Sequence, residues 1–506
     1  SEAIDFARLY GLTALDSSEG SQPYGLVVVA SPWNFPYAIP AGGIIAALVS
    51  GNTVIFKPAP EVVLVGWELV NQLWKSGVPK QALHFVPTLD NEVGRKLVSH
   101  QDVDKVVLTG AYETAVKFKS WRPDLDLVAE TSGKNSIIVT NSSDIDLAVS
   151  DIVKSAFGHA GQKCSAGSLA IVEKEIYNNP LFFKQLVDAT NSLSVGNPTN
   201  LGNSVGPIIK DPDEKLLRAL TELEEGEEWL VKPEVLSNSN CWTPGIKINV
   251  QPNSWTHMNE WFGPVLGIMQ APNLKKAIEW QNATDYGLTA GLHSLSTKEC
   301  NYWLKNVEAG NLYINRPITG AVVKRQPFGG WKKSSFGSTV KAGSSYYPSI
   351  FKRYNQVKDY DILVNELEEL WSIKSKKIKN DNLQSEHNYS VLYPHKKVLI
   401  VHDENPNPEF KKYLDSIKKI FGLTVDEIEF SKLEDNDSID KYSLVRWLSR
   451  EPAPEWIYKY NFSLDTNHIV QNSRIEIFSW VREQSISITN HRYGNIGFSP
   501  VSIEIR

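Results

Sequence analysis

The residues with the clearest chemical potential are a cysteine, a glutamate and an asparagine, each next to a predicted helix or strand. Cys164 follows a helical run in FGHAGQKCSAG, and Glu130 ends a predicted strand directly before a glycine turn in AETSGKNS. Asn34 follows another predicted strand in SPWNFP. A thiolate is a nucleophile, a carboxylate can act as a general base, and an amide N–H can polarise a carbonyl oxygen. These are the residue types that nucleophilic chemistry at a carbonyl group needs.

Each of these residues also has an ordinary structural interpretation when it is taken alone. A lone cysteine is usually an inert buried residue, Glu130 suits a solvated loop, and the prolines around Asn34 suit a turn. Lys57 ends a predicted strand in NTVIFKPAPE, where a cation can meet a ribose or phosphate, although an exposed lysine is equally typical there. Glu260 and Phe262, in EWFGPV, fit a turn before a strand.

The elements that must position these residues predict an α/β fold. From about Pro23 to Thr131, apolar strands such as GLVVVAS, NTVIFKP and KVVLTG alternate with helical runs. This alternation is typical of a parallel sheet that helices cover on both faces. Ligands of such sheets bind beyond the carboxyl ends of the strands, which is where we expect Asn34, Lys57 and Glu130.

The composition is that of an ordinary globular protein. The chain has 506 residues, 42% of them hydrophobic and 22% charged, with a net charge of −6. No long basic run points to nucleic acid or to an anionic membrane, and there is neither an apolar stretch near 20 residues nor a signal peptide. Cys164, Cys241 and Cys300 lie far apart without a CxxC pair, which argues against disulfides and a structural zinc site. We therefore expect no metal and a reducing, cytoplasmic setting.

Taken together, the segments resemble the aldehyde dehydrogenase superfamily. Both of its signature stretches are present, around Glu130 and around Cys164, and the resemblance extends from residue 1 to about 350. It implies that Cys164 attacks an aldehyde to form a thiohemiacetal and that the Asn34 amide helps to hold the oxyanion. It also implies that, after hydride transfer, Glu130 activates the water that hydrolyses the thioester.

The resemblance further implies six residues that contact the cofactor. Lys57 and Glu61 are expected at the adenosine ribose, Trp33 and Gly110 in the dinucleotide groove, and Glu260 and Phe262 at the nicotinamide end. The chain departs from the family pattern at Ala111 and Ala115, where the family usually has Ser and Gly. Another departure is Pro60, which stands where the ribose-binding glutamate usually lies, with Glu61 following. A carboxylate beside the 2′-hydroxyl repels a 2′-phosphate, so NAD is expected rather than NADP.

The resemblance implies a Rossmann-like NAD domain and an α/β catalytic domain, and an extra C-terminal α/β domain follows them. We expect five segments: an N-terminally incomplete NAD-binding domain at 1–131, a catalytic domain at 132–336, an anchor or oligomerisation segment at 337–365, a linker at 366–388 and the C-terminal domain at 389–506. The linker prediction rests on the polar run IKSKKIKNDNLQSEHN. The C-terminal domain has no glycine-rich phosphate loop, so we expect a structural role for it.

One loop indicates the class of aldehyde. NRPITGAVVKRQPFGG is similar to the anchor loop of the glutamate semialdehyde dehydrogenases, also called 1-pyrroline-5-carboxylate dehydrogenases. In that family two successive backbone N–H groups bind the substrate α-carboxylate, and the matching residues here are Gly320 and Ala321. The resemblance adds a hydroxyl from Ser165 and aromatic rings from Phe35 and Phe328 beside the aliphatic chain. An ordinary glycine turn remains the alternative, and KAGSS replaces the family's frequent KAGGP later in the chain.

The two ends of the chain suggest a longer protein. The closing WVREQSISITNHRYGN is similar to the C-terminus of the bifunctional proline utilization A proteins, which carry a proline dehydrogenase barrel upstream. The opening SEAIDFARLYG looks like the middle of a helix, and roughly the first hundred residues of the aldehyde dehydrogenase region are missing. We therefore expect an upstream proline dehydrogenase domain in the same polypeptide, and FAD only in that domain.

The leading hypothesis is NAD-dependent oxidation of L-glutamate γ-semialdehyde to L-glutamate. One alternative is a dehydrogenase for another acidic semialdehyde, and the other is a non-catalytic scaffold with the aldehyde dehydrogenase fold. The joint presence of Cys164, Glu130 and Asn34 argues against the scaffold. The sequence leaves open the oligomeric state, a homo-oligomer included, and whether substrate is channelled.

Overall fold

A computed structural model of the chain describes residues 1–14, 20–236, 240–381, 383–403, 407–491 and 494–496. The chain divides into two compact units. The first unit contains Ser1–Thr131, Val322–Ile378 and Ser390–Gln484. The second unit contains Ser132–Ala321, Lys379–Tyr389 and Ser485–Arg506.

The α-helices of the described residues are α1 Glu2–Thr13, α2 Ala38–Val49, α3 Val63–Lys75, α4 Glu92–Ser99, α5 Tyr112–Trp121, α6 Ile145–Phe157, α7 Lys174–Tyr177, α8 Pro180–Asn191, α9 Glu214–Thr221, α10 Trp255–Met258, α11 Leu274–Ala283, α12 Thr297–Asn306, α13 Tyr360–Lys374, α14 Pro408–Phe421 and α15 Ser473–Glu476.

The strands are β1 Ser21–Pro23, β2 Leu26–Ala30, β3 Thr53–Lys57, β4 Leu83–Phe85, β5 Lys105–Thr109, β6 Leu127–Glu130, β7 Asn135–Val139, β8 Gly167–Glu173, β9 Glu228–Val231, β10 Gly245–Ile248, β11 Val265–Ala271, β12 Tyr286–Gly287, β13 Thr289–His293, β14 Asn311–Ile314, β15 Trp331–Lys332, β16 Ser335–Phe336, β17 Lys352–Tyr354, β18 Ile378–Lys379, β19 Glu386–Pro394, β20 Lys397–His402, β21 Thr424–Glu429, β22 Leu444–Trp447, β23 Ser463–Asp465 and β24 Val481–Thr489.

The first unit contains a six-stranded sheet in the order β16-β6-β5-β2-β3-β4. The strands β2 to β6 are parallel to their neighbours, and the short β16 is antiparallel to β6. The chain adds strands on one side of β2 as far as β4 and then continues on the other side with β5. The sheet therefore has a topological switch point between β2 and β5, which is where doubly wound sheets bind ligands. The predicted parallel sheet is confirmed.

The apolar sequence of β2 follows from burial on both faces of this sheet. Val27 and Val29 pack in one core with side chains of α2 and α3, and Val28 and Ala30 pack in another with side chains of α5. Successive strand residues point to opposite faces, so a strand that is covered on both sides must be apolar at every position. This explains the uninterrupted run LVVVA.

The first unit also holds a second parallel sheet, in the order β21-β20-β22-β23. Helix α14 begins at the N-cap Asn407, whose side chain accepts from the Phe410 N–H, and ends at Gly422 in the left-handed conformation. Its apolar side chains Leu414 and Ile417 pack in one core with Val398 of β20. This sheet is the α/β region that the C-terminal sequence predicts.

The second unit is organised around a ten-stranded sheet in the order β18-β19-β24-β14-β13-β7-β8-β11-β10-β9. The seven strands from β24 to β10 in this order are parallel, and β9 is antiparallel to β10. Helix α6 packs against this sheet, with Ile152 and Phe157 in one core with Ile137 of β7 and Ala170 of β8. The second α/β region is thus also confirmed.

The division of the chain differs from the five sequential segments. Residues 322–336 belong to the first unit because β16 pairs with β6. The predicted C-terminal domain is divided, because residues Ser485–Ile488 of β24 pair with β14 in the second unit. Such pairings join segments that are distant in the chain, and local sequence patterns do not reveal them.

The segment 366–388, predicted as a linker, contains regular secondary structure. It contains the second half of α13, then β18 and the beginning of β19. Leu363 and Leu367, four residues apart, are buried in one core with Phe410 and Leu414 of α14. This apolar stripe stabilises the helix although the segment as a whole is polar.

Candidate active site

The predicted residues of the first unit lie at the carboxyl ends of four parallel strands: Trp33, Asn34 and Phe35 follow β2, Lys57 ends β3, Gly110 follows β5, and Glu130 ends β6. The carboxyl ends of parallel strands meet at one edge of a sheet. These residues are therefore gathered along a single edge, with the switch point between β2 and β5 in its middle. This is the location that the sequence predicts.

Lys57 is held by a carboxylate that the sequence did not indicate. Its Nζ lies 2.6 Å from Asp90 Oδ1, and Lys57 itself is buried. Nearby, a Cβ placed on Gly94 would lie 3.5 Å from Lys57 Cε and 3.4 Å from Thr88 Oγ1. Thr88 Oγ1 is itself buried without a hydrogen-bond partner among the described residues. A fixed cation beside an unsatisfied hydroxyl fits the hydroxyl-rich ribose end of a dinucleotide.

Other groups at this edge also fit a dinucleotide. Ser31 Oγ, directly after β2, is another buried hydroxyl without a hydrogen-bond partner among the described residues. Helix α5 begins two residues after Gly110, so its N-terminus comes directly after the carboxyl end of β5, beside the switch point. The N–H groups at a helix N-terminus are suited to bind phosphate. Glu61 is exposed in the short 3₁₀ helix Pro60–Val62.

Backbone pairing fixes the position of Glu130, and burial changes the pKa of its carboxyl. It lies opposite Ser335 in the pairing of β6 with β16, and its carbonyl accepts a hydrogen bond of 3.1 Å from the Gly110 N–H. Burial raises the pKa of the Glu130 carboxyl to about 8, although the Lys341 ammonium opposes the shift. A carboxylate with a pKa near neutrality is well suited to accept a proton from water.

Cys164 lies in a loop of unusual backbone in the second unit. It forms no disulfide and is half-buried, whereas Cys241 and Cys300, which also form no disulfide, are buried. After α6 the chain passes through His159, Ala160 and Gly161, whose φ angles are 61°, 54° and 68°. Left-handed non-glycine residues are uncommon and tend to occur at functional sites.

Close backbone packing fixes this turn. A Cβ on Gly161 would lie 2.2 Å from the carbonyl oxygen of Gly263, so a side chain does not fit there. Phe262, one residue earlier, also has a positive φ of 54°. The turn before the cysteine and the segment with Glu260 and Phe262 are therefore packed directly against each other.

Asn135, the first residue of β7, connects the cysteine loop to two neighbouring strands. Its Nδ2 donates to the carbonyls of Cys164 at 2.7 Å and Ala166 at 3.0 Å, and its Oδ1 accepts from the Thr289 N–H at 3.0 Å. Asn135 was not predicted as a site residue, although it lies within AETSGKNS. The available signal was a polar side chain at the start of the buried strand NSIIV.

Gly133, in the segment AETSGKNS, lies close to Cys164. Its N–H donates to Glu260 Oε1 at 2.9 Å, and a Cβ there would lie 2.9 Å from the carbonyl oxygen of Cys164. Glycine is thus required for the close approach. Cys164, Ser165 and Glu260 all lie near the amino ends of the parallel strands β7, β8 and β11.

The predicted anchor loop folds back over the same sheet. The Ile318 N–H donates to Ser155 Oγ at 3.1 Å, and Ile318 Cδ1 would lie 3.6 Å from a Cβ on Gly167, three residues after Cys164. Gly320 is exposed with φ of +87°, and a Cβ placed on it would meet no atom within 4 Å. Its backbone conformation favours glycine, and the space beside it is open.

The predicted site residues are distributed over both units. The first unit contributes Trp33, Asn34, Phe35, Lys57, Glu61, Gly110, Glu130 and Phe328. The second contributes Cys164, Ser165, Glu260, Phe262, Gly320 and Ala321. Phe328 is half-buried and bridges Ala342 in antiparallel fashion, with hydrogen bonds of 2.8 and 3.1 Å.

In the described ranges, no helix is both long and apolar enough to cross a lipid bilayer. No cluster of three or more His, Cys, Asp or Glu side chains in these ranges is arranged to hold a metal ion.

The family model of the aldehyde dehydrogenase family matches residues 12–358, more than half of the chain. The chain therefore belongs to the aldehyde dehydrogenase family. Among its relatives, a 1-pyrroline-5-carboxylate dehydrogenase of Bacillus licheniformis is 34% identical over 382 residues, which cover 71% of this chain and 73% of the relative. Another of that name, from Geobacillus thermodenitrificans, is 36% identical over 370 residues, covering 68% and 71%.

Solved structures give the same fold. Proline utilization A from Corynebacterium freiburgense is 41% identical with a TM-score of 0.89, covering 98% of this chain and 53% of that chain. A 1-pyrroline-5-carboxylate dehydrogenase from Thermus with bound NAD is 32% identical with a TM-score of 0.64, covering 70% and 72%. The chain thus spans about half the length of the Corynebacterium protein, and that match includes nearly all of the chain.

Proposed function

We propose that the chain oxidises L-glutamate γ-semialdehyde to L-glutamate with NAD, in a polypeptide that also carries a proline dehydrogenase domain upstream. The observation that carries the chemistry is the combination of a partly exposed cysteine, Cys164, in a loop fixed by Asn135, with a half-buried glutamate, Glu130, whose carboxyl pKa is raised to about 8. This pair supplies a nucleophile and a base for two successive steps. The names of the relatives support the substrate.

In the first step the Cys164 thiolate attacks the aldehyde carbon. A C–S bond forms, and the carbonyl π electrons move to the oxygen, where the Asn34 amide and the Cys164 backbone N–H are the proposed donors. Bound NAD would supply the hydride acceptor. As an electron pair of the oxyanion re-forms the C=O bond, the carbon loses its hydride and a thioester is left on Cys164.

In the second step Glu130 acts on water. The carboxylate takes a proton from the water as the water oxygen bonds to the thioester carbon. The C–S bond then breaks, its electron pair returns to the Cys164 sulfur, and the acid is released. The net reaction consumes one aldehyde, one NAD⁺ and one water, and it gives the carboxylate, NADH and two protons.

The residues proposed to hold the cofactor are those of the strand edge and of the Glu260 segment. Lys57 and Glu61 would contact the adenosine ribose, Trp33 and Gly110 the groove, and Glu260 and Phe262 the nicotinamide end. The preference for NAD over NADP rests on Glu61 and is supported by the Thermus relative with bound NAD. FAD is proposed only for the upstream proline dehydrogenase domain.

The anchor loop supports an α-carboxylate at the far end of the substrate. Gly320 and Ala321 would donate their backbone N–H groups, Ser165 would add its hydroxyl, and Phe35 and Phe328 would flank the aliphatic chain. The open, left-handed position of Gly320 supports this role. The cytoplasmic location stays a prediction, and the three cysteines, none of which forms a disulfide, support it.

The test compares kcat/KM for glutamate semialdehyde and for butanal or pentanal in the full-length protein. The simple aldehydes have no α-carboxylate, so the N–H and O–H donors of the anchor site would be left unpaired. The kcat/KM for these aldehydes should therefore be lower by roughly a hundredfold or more. The Gly320→Ala variant should lose activity with the semialdehyde.

Gly226→Ala is the matched control, because Gly226 belongs to the same unit and also combines a left-handed φ of +83° with open space. Equal use of butanal, or equal losses in the two glycine variants, would reject the anchor-loop assignment. A preference for a different acidic semialdehyde would support the alternative substrate.

A further inference from the structure

The stem of the anchor loop is held by a hydrogen-bonded network in the second unit that takes no part in the two steps above. Arg316 lies four residues before Gly320. Its Nη1 forms an ion pair of 2.7 Å with Glu386 Oε2 of β19 and donates a hydrogen bond to Ser487 Oγ of β24. The side chains of Arg316 and Glu386 are 16% and 18% exposed, so salt in the solvent screens this pair only weakly.

Asn388 closes this network into a ring. Ser487 Oγ donates to Asn388 Oδ1 at 2.6 Å, and Asn388 Nδ2 donates to Glu386 Oε1 at 2.9 Å. The same Nδ2 also donates to Asp381 Oδ2 at 2.5 Å. Asn388 and Ser487 are both buried. The two oxygens that Arg316 contacts therefore belong to side chains that are themselves held in place.

The sheet fixes the elements that carry the ring. Ser487 lies opposite Tyr313 in the parallel pairing of β24 with β14, and β19 is the next strand beyond β24. Strand β14 ends at Ile314, two residues before Arg316. The Arg316 side chain thus ties the start of the anchor loop to the two strands that follow β14 in the sheet.

The residues on either side of Arg316 are fixed as well. Asn315 has a positive φ of 54°, and its side chain accepts from the Ser294 N–H and donates to the Ser294 carbonyl, both at 2.9 Å. Ile318 is fully buried, and its N–H donates to Ser155 Oγ at 3.1 Å. Gly320, by contrast, is exposed with open space beside it. The position of the loop tip therefore depends on the stem.

We propose that Arg316 is a positioning residue for substrate selection, because it holds the anchor loop where Gly320 and Ala321 can meet the α-carboxylate. The inference rests on the proposed function and deepens it. Hydrogen bonds weaken steeply as their geometry deteriorates, so a displaced loop tip binds the carboxylate poorly. An aldehyde without a carboxylate makes no such bonds. Arg316 therefore affects the binding of glutamate semialdehyde and leaves the oxidation of a simple aldehyde unchanged.

The test compares kcat and KM for L-glutamate γ-semialdehyde and for butanal in the full-length protein. Arg316→Met removes the guanidinium, and the KM for the semialdehyde should rise by roughly tenfold, as expected when a hydrogen bond to a charged group is lost. The kcat at saturating semialdehyde and the kcat/KM for butanal should stay within about twofold of the wild type. Arg316→Lys keeps a charged donor and should recover part of the lost affinity.

Two milder variants serve if Arg316→Met does not fold, since that change leaves Glu386 buried without its cation. Ser487→Ala removes one contact of Arg316, and Glu386→Gln removes the negative charge but keeps an acceptor. Each should raise the KM for the semialdehyde by less than Arg316→Met and leave butanal oxidation unchanged. Thermal unfolding of every variant separates loss of stability from loss of selectivity, because a smaller folded fraction lowers the rates with both aldehydes equally.

Arg218→Met is the matched control, because Arg218 of α9 belongs to the same unit and forms an ion pair of 2.6 Å with Glu224. Its preference between the two aldehydes should equal that of the wild type. Equal losses with both aldehydes in the Arg316 and Ser487 variants, or an unchanged KM for the semialdehyde in all of them, would overturn the inference. The proposed function fails separately, if the wild type uses butanal as efficiently as the semialdehyde.

Discussion

The predicted catalytic residues lie at opposite strand ends in the two main sheets. In the first unit Asn34, Lys57 and Glu130 lie at the carboxyl ends of parallel strands, as the rule for doubly wound sheets requires. In the second unit Cys164 and Glu260 precede the strands β8 and β11, and thus lie at the amino ends. Predicted site residues can therefore lie at either end of a parallel sheet, and the rule for doubly wound sheets applies only to those of the first unit.

The two regions also hold their reactive groups by different means. Glu130 belongs to a strand, so the backbone ladder of β6 with β5 and β16 fixes its position. Cys164 lies in a loop that depends on one buried side chain, Asn135, and on the left-handed turn before it. Single substitutions around the cysteine loop should therefore displace the nucleophile, whereas the position of Glu130 should tolerate changes in neighbouring side chains.

Removal of the nucleophile should have the largest effect. Cys164→Ala should lower dehydrogenase turnover by roughly 10⁴-fold or more while NAD still binds, because the other groups cannot replace the thiolate. NADH formation and NAD binding by calorimetry are the measurements. Cys300→Ala is the control, because burial raises the pKa of that thiol to about 12 and keeps it unreactive. Undiminished NADH production in Cys164→Ala would remove the cysteine from the mechanism.

Removal of the base should have the next largest effect, and it should act on one step. Glu130→Gln should keep the burst of NADH but slow the steady state by about 10²- to 10⁴-fold, because the thioester is no longer hydrolysed. Rapid mixing separates the two phases. Glu113→Gln, in the first turn of α5 of the same unit, is the control. A wild-type steady state in Glu130→Gln would contradict the assignment of the base.

The different architectures explain what the sequence could predict. The strands of the first unit are short apolar runs that end at or shortly before Asn34, Lys57 and Glu130, so the strand-end rule predicted where these residues would lie, and the family resemblance selected them. No such rule pointed to Cys164. Its prediction depended on the resemblance of FGHAGQKCSAG to a known family, because a lone cysteine carries no local signal.

The supporting residues could not be predicted for a physical reason. Asp90 meets Lys57 from 33 positions along the chain, and the charge of Lys341, which is distant in the sequence, lowers the pKa of Glu130. Contacts of this kind are set by tertiary packing, and an exposed aspartate or a lysine in a glycine-rich loop looks ordinary in the sequence. The helix over the predicted linker was missed because a polar composition concealed the stripe of Leu363 and Leu367.

The dependence of the cysteine loop on a single side chain can be tested directly. Asn135→Ala removes the hydrogen bonds to the Cys164 and Ala166 carbonyls and leaves the Thr289 N–H unpaired. A small displacement of the nucleophile should lower kcat on the order of a hundredfold. The control is Asn141→Ala, because Asn141 is exposed just beyond the other end of the same strand β7. Equal activity in the two variants would show that the loop does not need its side-chain anchor.

The smallest effect should come from the strand edge of the first unit, where several groups share the cofactor. Lys57→Ala removes a cation from the proposed ribose site, and the Kd for NAD should rise by about tenfold, which corresponds to roughly 1.4 kcal/mol. The burst amplitude at saturating NAD should be unchanged, because Lys57 has no part in the chemical steps. Asp90→Asn keeps the lysine but removes its ion pair, so its effect on the Kd for NAD should be smaller, especially since the Asp90 side chain is 74% exposed.

Lys75→Ala, at the exposed end of α3 in the same unit, controls for loss of a positive charge. If Lys57→Ala binds NAD as the wild type does, the cofactor does not depend on this strand end. If Lys57→Ala instead lowers the burst amplitude at saturating NAD, Lys57 affects the chemical steps as well as the binding of the cofactor.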